Sequence, residues 1–395
     1  MSPFLLKRKV FTESKPLLDE LLEVQHFRAI YNIFVAVFCI FILRAVLFFG
    51  HPFWLLVLSY FFFLCWHCLH LRLEYFTFKK LPSILNSLYF LHFLEVSSLK
   101  VQNAGLTCLT FSLPSLLMKS YSFLRETVPP VLQSRSNDGK MHLPQFSTYL
   151  YFLFCPTLIY RENYPRTPRV RWRYVIKNFA KFLMSLFYGS MLFKCCSIPI
   201  FSNMNKQSLT FRSFVLIVFS ATLFAFYWAI LIWYTFFHCW LNAFAEMMCF
   251  ADRTFYKDWW NATSTSAFLR SWNVVVHDWL YCYIYQDLLW VFKSKAQSVA
   301  VLFTFIVSGA FHEYIFMMSF GFFYPLLFIF WFIAISTEIL GMPSTNIILW
   351  IRILFGVALL FSMQSLEWYA RIHCPVQKVS LHKLWSLYTR LEALP

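Results

Sequence analysis

Charge is scarce in this chain. Asp, Glu, Lys and Arg supply 13% of its 395 residues, whereas a soluble domain carries about a quarter. Hydrophobic residues make up 59%, aromatics 22% with 50 Phe, and mean hydropathy is +0.59. A soluble enzyme is therefore excluded. The net charge of +16 suggests nucleic acid only in a soluble protein, so that partner is excluded too. The start also lacks a basic patch followed by a short apolar core. Met1 to Phe27 is mixed and charged (Lys7, Arg8, Lys9, Lys15, Asp19, Glu20, Glu23), so no cleavable signal is read and the first transmembrane segment serves as the targeting signal. There is no internal repeat, no low-complexity tract and no linker between soluble domains, which leaves one domain. The 11 Cys are odd in number. Most lie in apolar runs (Cys39, Cys65, Cys68, Cys108, Cys249), where free Cys acts as a small hydrophobe, so no disulfide framework is indicated. Cys65, His67, Cys68 and His70 look like metal ligands, but residues two apart on a helix face different ways and cannot converge. No metal and no cofactor is expected. Cys195-Cys196, near a helix end, are candidates for palmitoylation.

The apolar runs are long. A membrane-spanning helix needs about 20 mostly apolar residues. Ala29–Phe49, Pro52–Leu71, Tyr174–Phe193, Ser213–Phe236, Ala296–Phe320, Gly321–Met342 and Thr345–Ser365 qualify. Leu106–Phe123 is apolar but interrupted by Pro114, and Met141–Ile159 carries Pro144 and Pro156. Ser213 to Ala245 holds no Lys, Arg, Asp or Glu and is too long for one straight span, which predicts a bend or second helix near His238. About eight to ten spans are expected, with short re-entrant or interfacial helices, which are tolerated at depth only where protein or a cavity surrounds them. The polar stretches are Glu74–Lys80, Arg125–Lys140 and Tyr160–Arg173, and Ser134–Lys140 has the chemistry of a mobile turn. Basic residues cluster most densely from Arg161 to Lys177, the pattern of a cytoplasmic loop that contacts anionic lipid; attraction of a polyanionic coenzyme A ester is the alternative.

Two features carry chemistry. In Ser298–Phe320 only His312 and Glu313 are ionisable apart from Tyr, and such groups inside the hydrocarbon layer are usually functional. His312 fits a general base; a buried histidine bonded to a neighbouring helix is the structural alternative. Glu313 points about 100° away on a helix and cannot simply orient it. Ser308 is four residues earlier on the same face, placed to support the His with its hydroxyl or to bond back to the helix. The string lacks the second His of a zinc-protease helix. The other feature is Phe255-Tyr256-Lys257-Asp258-Trp259-Trp260-Asn261, followed by Trp272-Asn273 and His277-Asp278-Trp279. Asn273 and His277 are four apart, which predicts one helical face offering an amide and an imidazole; Trp272 and Trp279, seven apart, share a face as well. An interfacial aromatic belt is the structural alternative. Asn261-Ala262-Thr263 matches a glycosylation sequon in a crowded context.

Phe255–Asn261, Trp272–Trp279 and Phe311–Tyr314 resemble the signatures of membrane-bound O-acyltransferases, with the sterol O-acyltransferase branch the best match. The diacylglycerol branch typically has Arg-Glu where this chain has Lys257-Asp258 and lacks the Val276–Trp279 wording. Met118–Glu126, Tyr149–Arg161, Phe250–Arg253 and Glu367–Arg371 resemble the sterol branch too, so the similarity covers nearly everything from Leu116 onward. The resemblance implies an all-α, polytopic helix bundle of about nine spans around an intramembrane tunnel, in the endoplasmic reticulum. Residues 1–28 would form a short polar cytosolic segment, 29–372 one transmembrane domain, and 373–395 a tail.

It also implies an acyltransferase of lipid metabolism that moves a fatty acyl group from acyl-CoA, a substrate rather than a cofactor, to a sterol hydroxyl such as that of cholesterol. In that frame His312 is the base, Asn273 assists it, and His277, Arg270 and Tyr285 lie along the CoA route or near the reaction centre. Trp272 and Ser308 flank these groups. The hydroxyl is a poor nucleophile that needs a base, an amide donor suits the oxyanion, and Arg270 with Lys293 or Lys295 would attract the CoA phosphates. The chain departs from the family at Ala267-Phe268-Leu269 (commonly Asn-Tyr-Tyr), at Gln297 (commonly Lys), at Ile333–Leu340, and in having no Cys after Cys374. Family members carry a longer polar N-terminal region that helps assembly, so a homodimer or higher homo-oligomer stays open beside a single chain. Another lipid alcohol as acceptor, a catalytically silent member and a transporter are the alternatives; no inverted repeat supports the last.

Overall fold

A computed structural model of the chain describes residues 9–25, 27, 103–138, 144–202, 210–292, 297–339 and 345–373. The spans expected over 29–49 and 52–71, the polar stretch 74–80, the Cys65–His70 group, Lys293, Lys295 and Cys374 lie outside the described residues. Every regular element among the described residues is helical, and one isolated antiparallel bridge joins Arg166 and Phe250.

Among the described residues, four helical runs are long and apolar enough to cross a membrane: Trp172–Phe201, Phe211–Met247, Gln297–Phe320 and Asn346–Arg371. They coincide with four of the expected spans. The first combines α4 (Trp172–Leu192), a π turn (Phe193–Ser197) and α5 (Ile198–Ser202). The second begins with α6 (Phe211–Trp233), whose N-terminus is closed by a capping box: Thr210 Oγ1 accepts from the Ser213 amide at 3.2 Å, and Ser213 Oγ accepts from the Thr210 amide at 2.8 Å. It continues through a π turn, Tyr234–Trp240, into α7 (Leu241–Met247). The bend or second helix expected near His238 thus corresponds to a π turn followed by a further α-helix within one continuous run. The helix absorbs the irregularity as a π segment that includes His238, which keeps the backbone hydrogen-bonded at depth. Beyond Pro325, α12 is described over Leu326–Ile339, a length of about 21 Å, short of a straight crossing of about 30 Å.

The expected interruption at Pro114 is not seen, and the described part of the mobile turn expected over Ser134–Lys140, residues Ser134–Asp138, is helical. A single helix, α2 (Asn103–Asp138), runs through Pro114, Pro129 and Pro130. Tertiary packing outweighs the local breakers here, since a proline costs one backbone bond and neighbouring elements can offset it. The middle of α2 is heavily anchored. Ser122, fully buried, bonds Tyr283 Oη at 2.8 Å and accepts the Tyr160 amide at 2.7 Å. Glu126 pairs with Arg161 at 2.7 Å, and Arg125 with Asp287 at 2.7 Å. Lys119 Nζ donates to the carbonyls of Phe152, Leu153 and Cys155 at 2.7–2.8 Å. These close the C-terminus of α3 (Phe146–Phe154), where a cation also meets the negative end of the helix dipole.

Two aromatic clusters form the core. One gathers Phe152, Tyr160, Tyr164, Trp233, Phe250, Phe255, Tyr256 and Trp259; the other, Met118, Leu158, Ile159, Trp279, Leu280 and Tyr283. Phe11 and Val275 pack against both. Beneath the first cluster lies Glu246, fully buried, which accepts from Arg171 Nε and Nη2 at 2.9 Å and from Arg253 Nη2 at 2.8 Å. Two guanidinium forks around one carboxylate give the charge-assisted pairing that a buried ion needs.

Candidate active site

α11 (Gln297–Phe320) carries His312. Its Nδ1 lies 2.7 Å from the carbonyl oxygen of Ser308. A carbonyl can only accept, so Nδ1 carries the hydrogen and donates, which leaves Nε2 of the neutral ring with its lone pair. The contact from Ser308 is thus its backbone, not the hydroxyl that the sequence suggests. The ring of Trp331 on α12 sits 4.6 Å from the imidazole. α12 is held in place by two further contacts with α11. Glu313, buried, accepts from the Phe328 amide at 2.9 Å and so caps the first turn of α12. Gly309 lets Phe328 approach until a Cβ at that position would meet its ring at 2.6 Å. Trp331 and Gly309 carry no signal in the sequence; Glu313 does, as an acid in an apolar run, and its partner proves to be the Phe328 amide.

The second part of the site is the junction of α8 (Thr265–Trp272) and α9 (Val274–Leu280). Asn273 lies between the two helices, with φ −138° and ψ 85°. Its Oδ1 accepts from the Val276 amide at 3.1 Å, the N-cap role for which Asn is favoured. The continuous helical face predicted for Asn273 with His277, and for Trp272 with Trp279, does not exist. The helix restarts at Asn273, and the cap commits its oxygen while leaving the amide NH2 to donate. Trp272 turns into the first cluster, 4.6 Å from Trp259 and 5.9 Å from Trp233, whereas Trp279 belongs to the second. Arg270, on the last turn of α8, is exposed.

His277 and Tyr285 are brought together. The rings of His277, Tyr281 and Tyr285 stack as a column with spacings of 6.3 and 5.5 Å through the π turn Tyr281–Tyr285 that follows α9. His277 Nδ1 lies 3.3 Å from Asp278 Oδ1, and Asp278 Oδ2 lies 2.7 Å from Lys9 Nζ. Burial pushes the Asp278 carboxyl up, but the hydrogen bond from His277 and the Lys9 ammonium outweigh it and hold the group below the usual carboxylate range.

The two parts share a wall. α12 packs against α11 on one side and α8 on the other, and the π turn after α9 packs against α11. Val275 and Val276 of α9 and Val307 and Phe311 of α11 all border the second cluster. The Phe255–Asn261 string is mostly scaffold. Phe255, Tyr256 and Trp259 are buried, Tyr256 Oη bonds His238 Nδ1 at 2.9 Å, and the Trp260 carbonyl accepts from Asn346 and Trp350. Lys257, Asp258 and Asn261 are exposed. These three border an open cleft of about 1090 Å³ together with Lys15, Arg169 and Arg171.

Residues 55–372 match the family model described as MBOAT, membrane-bound O-acyltransferase family. The chain belongs to the membrane-bound O-acyltransferase family. Sterol O-acyltransferase 2 of Homo sapiens is 42% identical across 98% of this chain and 80% of its own length. Sterol O-acyltransferase 2 of Mus musculus is 41% identical over 97% and 80%, and Sterol O-acyltransferase 1 of Mus musculus is 38% identical over 93% and 76%. The acyltransferase class implied by the motifs is thereby shown, and this O-acyltransferase is a membrane protein that is all-helical over its described residues.

Proposed function

We propose that this acyltransferase moves a long-chain fatty acyl group from acyl-CoA to the 3-hydroxyl of a sterol, releasing sterol ester and free CoA, in the membrane of the endoplasmic reticulum. The observation that carries the mechanism is the hydrogen bond from His312 Nδ1 to the Ser308 carbonyl. It fixes the tautomer whose Nε2 is basic, on a helix long enough to set that base at membrane depth. In the reaction Nε2 takes the sterol hydroxyl proton as the oxygen attacks the thioester carbonyl. The free NH2 of Asn273 donates to the oxyanion. The C–S bond then breaks, and a thiolate of pKa near 8.5 leaves with little acid assistance, taking up the proton from the imidazolium. Sterol as acceptor is supported by the names of relatives at 38–42% identity. Arg270, His277 and Tyr285 serve the CoA side.

The test is acyl transfer in membranes of cells without their own sterol acyltransferases, with labelled oleoyl-CoA and cholesterol, diacylglycerol or a long-chain alcohol offered separately. Native protein should yield sterol ester, and His312→Ala should yield none at normal expression. A fully active His312→Ala protein would overturn the base assignment, and ester from another alcohol alone would overturn the acceptor.

A further inference from the structure

The segment ahead of α1 (Leu17–Leu21), the first described helix, runs extended along the body of the protein and reaches the candidate site. It is pinned at three places. Ser14 donates its amide to the Ala251 carbonyl at 3.1 Å, and Ser14 Oγ accepts from the Arg253 amide at 2.8 Å and lies 3.0 Å from Thr254 Oγ1. Phe11 meets Tyr164 and Phe250 edge-on at 5.2 and 6.1 Å. Lys9, 17% exposed at its side chain, pairs with Asp278, which is 24% exposed. With Ser14 and Phe11 fixed, the ammonium arrives at α9 in one place. The two oxygens of Asp278 are divided between two partners, Oδ2 to Lys9 and Oδ1 to His277. A half-buried carboxylate held this way is less screened than a surface pair, and its direction is set by both partners.

We propose that Lys9 is a positioning residue for acyl transfer, acting through Asp278 to hold the His277 ring and its stack with Tyr281 and Tyr285. This rests on the acyl-transfer reading and on His277 facing the CoA route. The N-terminal segment then forms part of the active-site wall. Without the Lys9 charge, Asp278 loses the partner that draws Oδ2 away from the imidazole, the carboxylate rotates, and the His277 ring follows. Misplacement on the scale of an ångström is enough to slow a positioned reaction markedly.

The experiment measures kcat and KM for acyl-CoA, and the melting temperature in detergent, for the full chain and four variants. Lys9→Met, of similar size, should lower kcat roughly tenfold or more with KM and melting temperature close to native. Lys9→Arg should recover most of the loss. Lys9→Met combined with Asp278→Asn should be no slower than Asp278→Asn alone, because both act through one contact. A kcat for Lys9→Met within about twofold of native, or losses that multiply in the double variant, would overturn the proposal. If Lys9→Met does not fold, Asp278→Asn against Lys9→Arg decides it: a slow first variant beside a fast second supports positioning, and equal rates sink it. Native protein without acyl transfer would instead refute the reading beneath.

Discussion

Asn273 holds two jobs that one substitution separates. Its Oδ1 caps α9 through the Val276 amide, and its NH2 is the donor proposed for the oxyanion. Asp at this position keeps an acceptor for the cap and suits the positive end of the helix dipole, but it has no donor and adds a charge of the wrong sign. Asn273→Asp should therefore melt near the native temperature and lose turnover by about 100-fold or more. Asn273→Ala should lose about 1 kcal/mol of stability with the cap as well. Initial rates and thermal melts of the two variants check this; an active Asp variant would reduce Asn273 to a cap. The residue types at the site were legible from the sequence because a histidine among apolar residues and an amide beside paired tryptophans are rare. Their geometry was not. Four-residue spacing puts Asn273 and His277 on one face only in an unbroken helix, and Asn273, though a favoured N-cap, does not by itself say that the helix restarts there. Lys9 was invisible for another reason: its partner, Asp278, lies 269 positions away.

Between elements, the contact that matters most to His312 is the one between α11 and α12. Gly309 faces Phe328, and a Cβ there would come within 2.6 Å of Cδ2 and 3.1 Å of Cε2. Phe328 also gives its amide to Glu313, so a displaced ring takes the start of α12 with it and draws Trp331 off the His312 imidazole. Gly309→Ala gains about 1 kcal/mol in helix propensity but suffers overpacking of about 1–3 kcal/mol, so the balance is a modest net destabilisation. The activity loss should exceed what that destabilisation explains, and Phe328→Leu in the same chain should restore both rate and melting temperature by making room. Gly309→Ala with native activity would show that Trp331 has no part in setting the base. The long helices were readable element by element, since Trp172–Phe201, Phe211–Met247, Gln297–Phe320 and Asn346–Arg371 are unbroken apolar runs. Their punctuation was not. Pro114 sits inside α2, and the irregularity expected near His238 takes the form of a π turn rather than a stop, because a packed helix keeps its hydrogen bonds where an isolated one would break.

Across the whole molecule, the same contacts settle which segments share a face. The Ser14–Ala251 bond, the Arg166–Phe250 bridge and the Thr167–Cys249 bond gather the N-terminal segment, the loop ahead of α4 and the Phe255–Asn261 string at one end of the bundle. That end carries Arg161, Arg166, Arg169, Arg171 and Arg173, and such an excess of basic residues predicts the cytosolic side. The runs Trp172–Phe201 and Phe211–Met247 each have one terminus there, so this orientation would put Phe201 and Phe211 on the lumenal side. In the endoplasmic-reticulum membrane proposed above, Asn261 should therefore stay unglycosylated even though Asn261-Ala262-Thr263 is a sequon and Asn261 is exposed, because the transferase that reads it works only in the lumen. A spacer bearing an acceptor sequon, inserted ahead of Thr210, should gain a glycan, while native protein and Asn261→Gln should migrate alike before and after glycosidase treatment. A glycosidase-sensitive shift lost on Asn261→Gln would invert the orientation. It would also place Lys257 and the basic cleft in the lumen, away from cytosolic acyl-CoA, and the tunnel for that substrate would then have to open at the opposite end of the bundle.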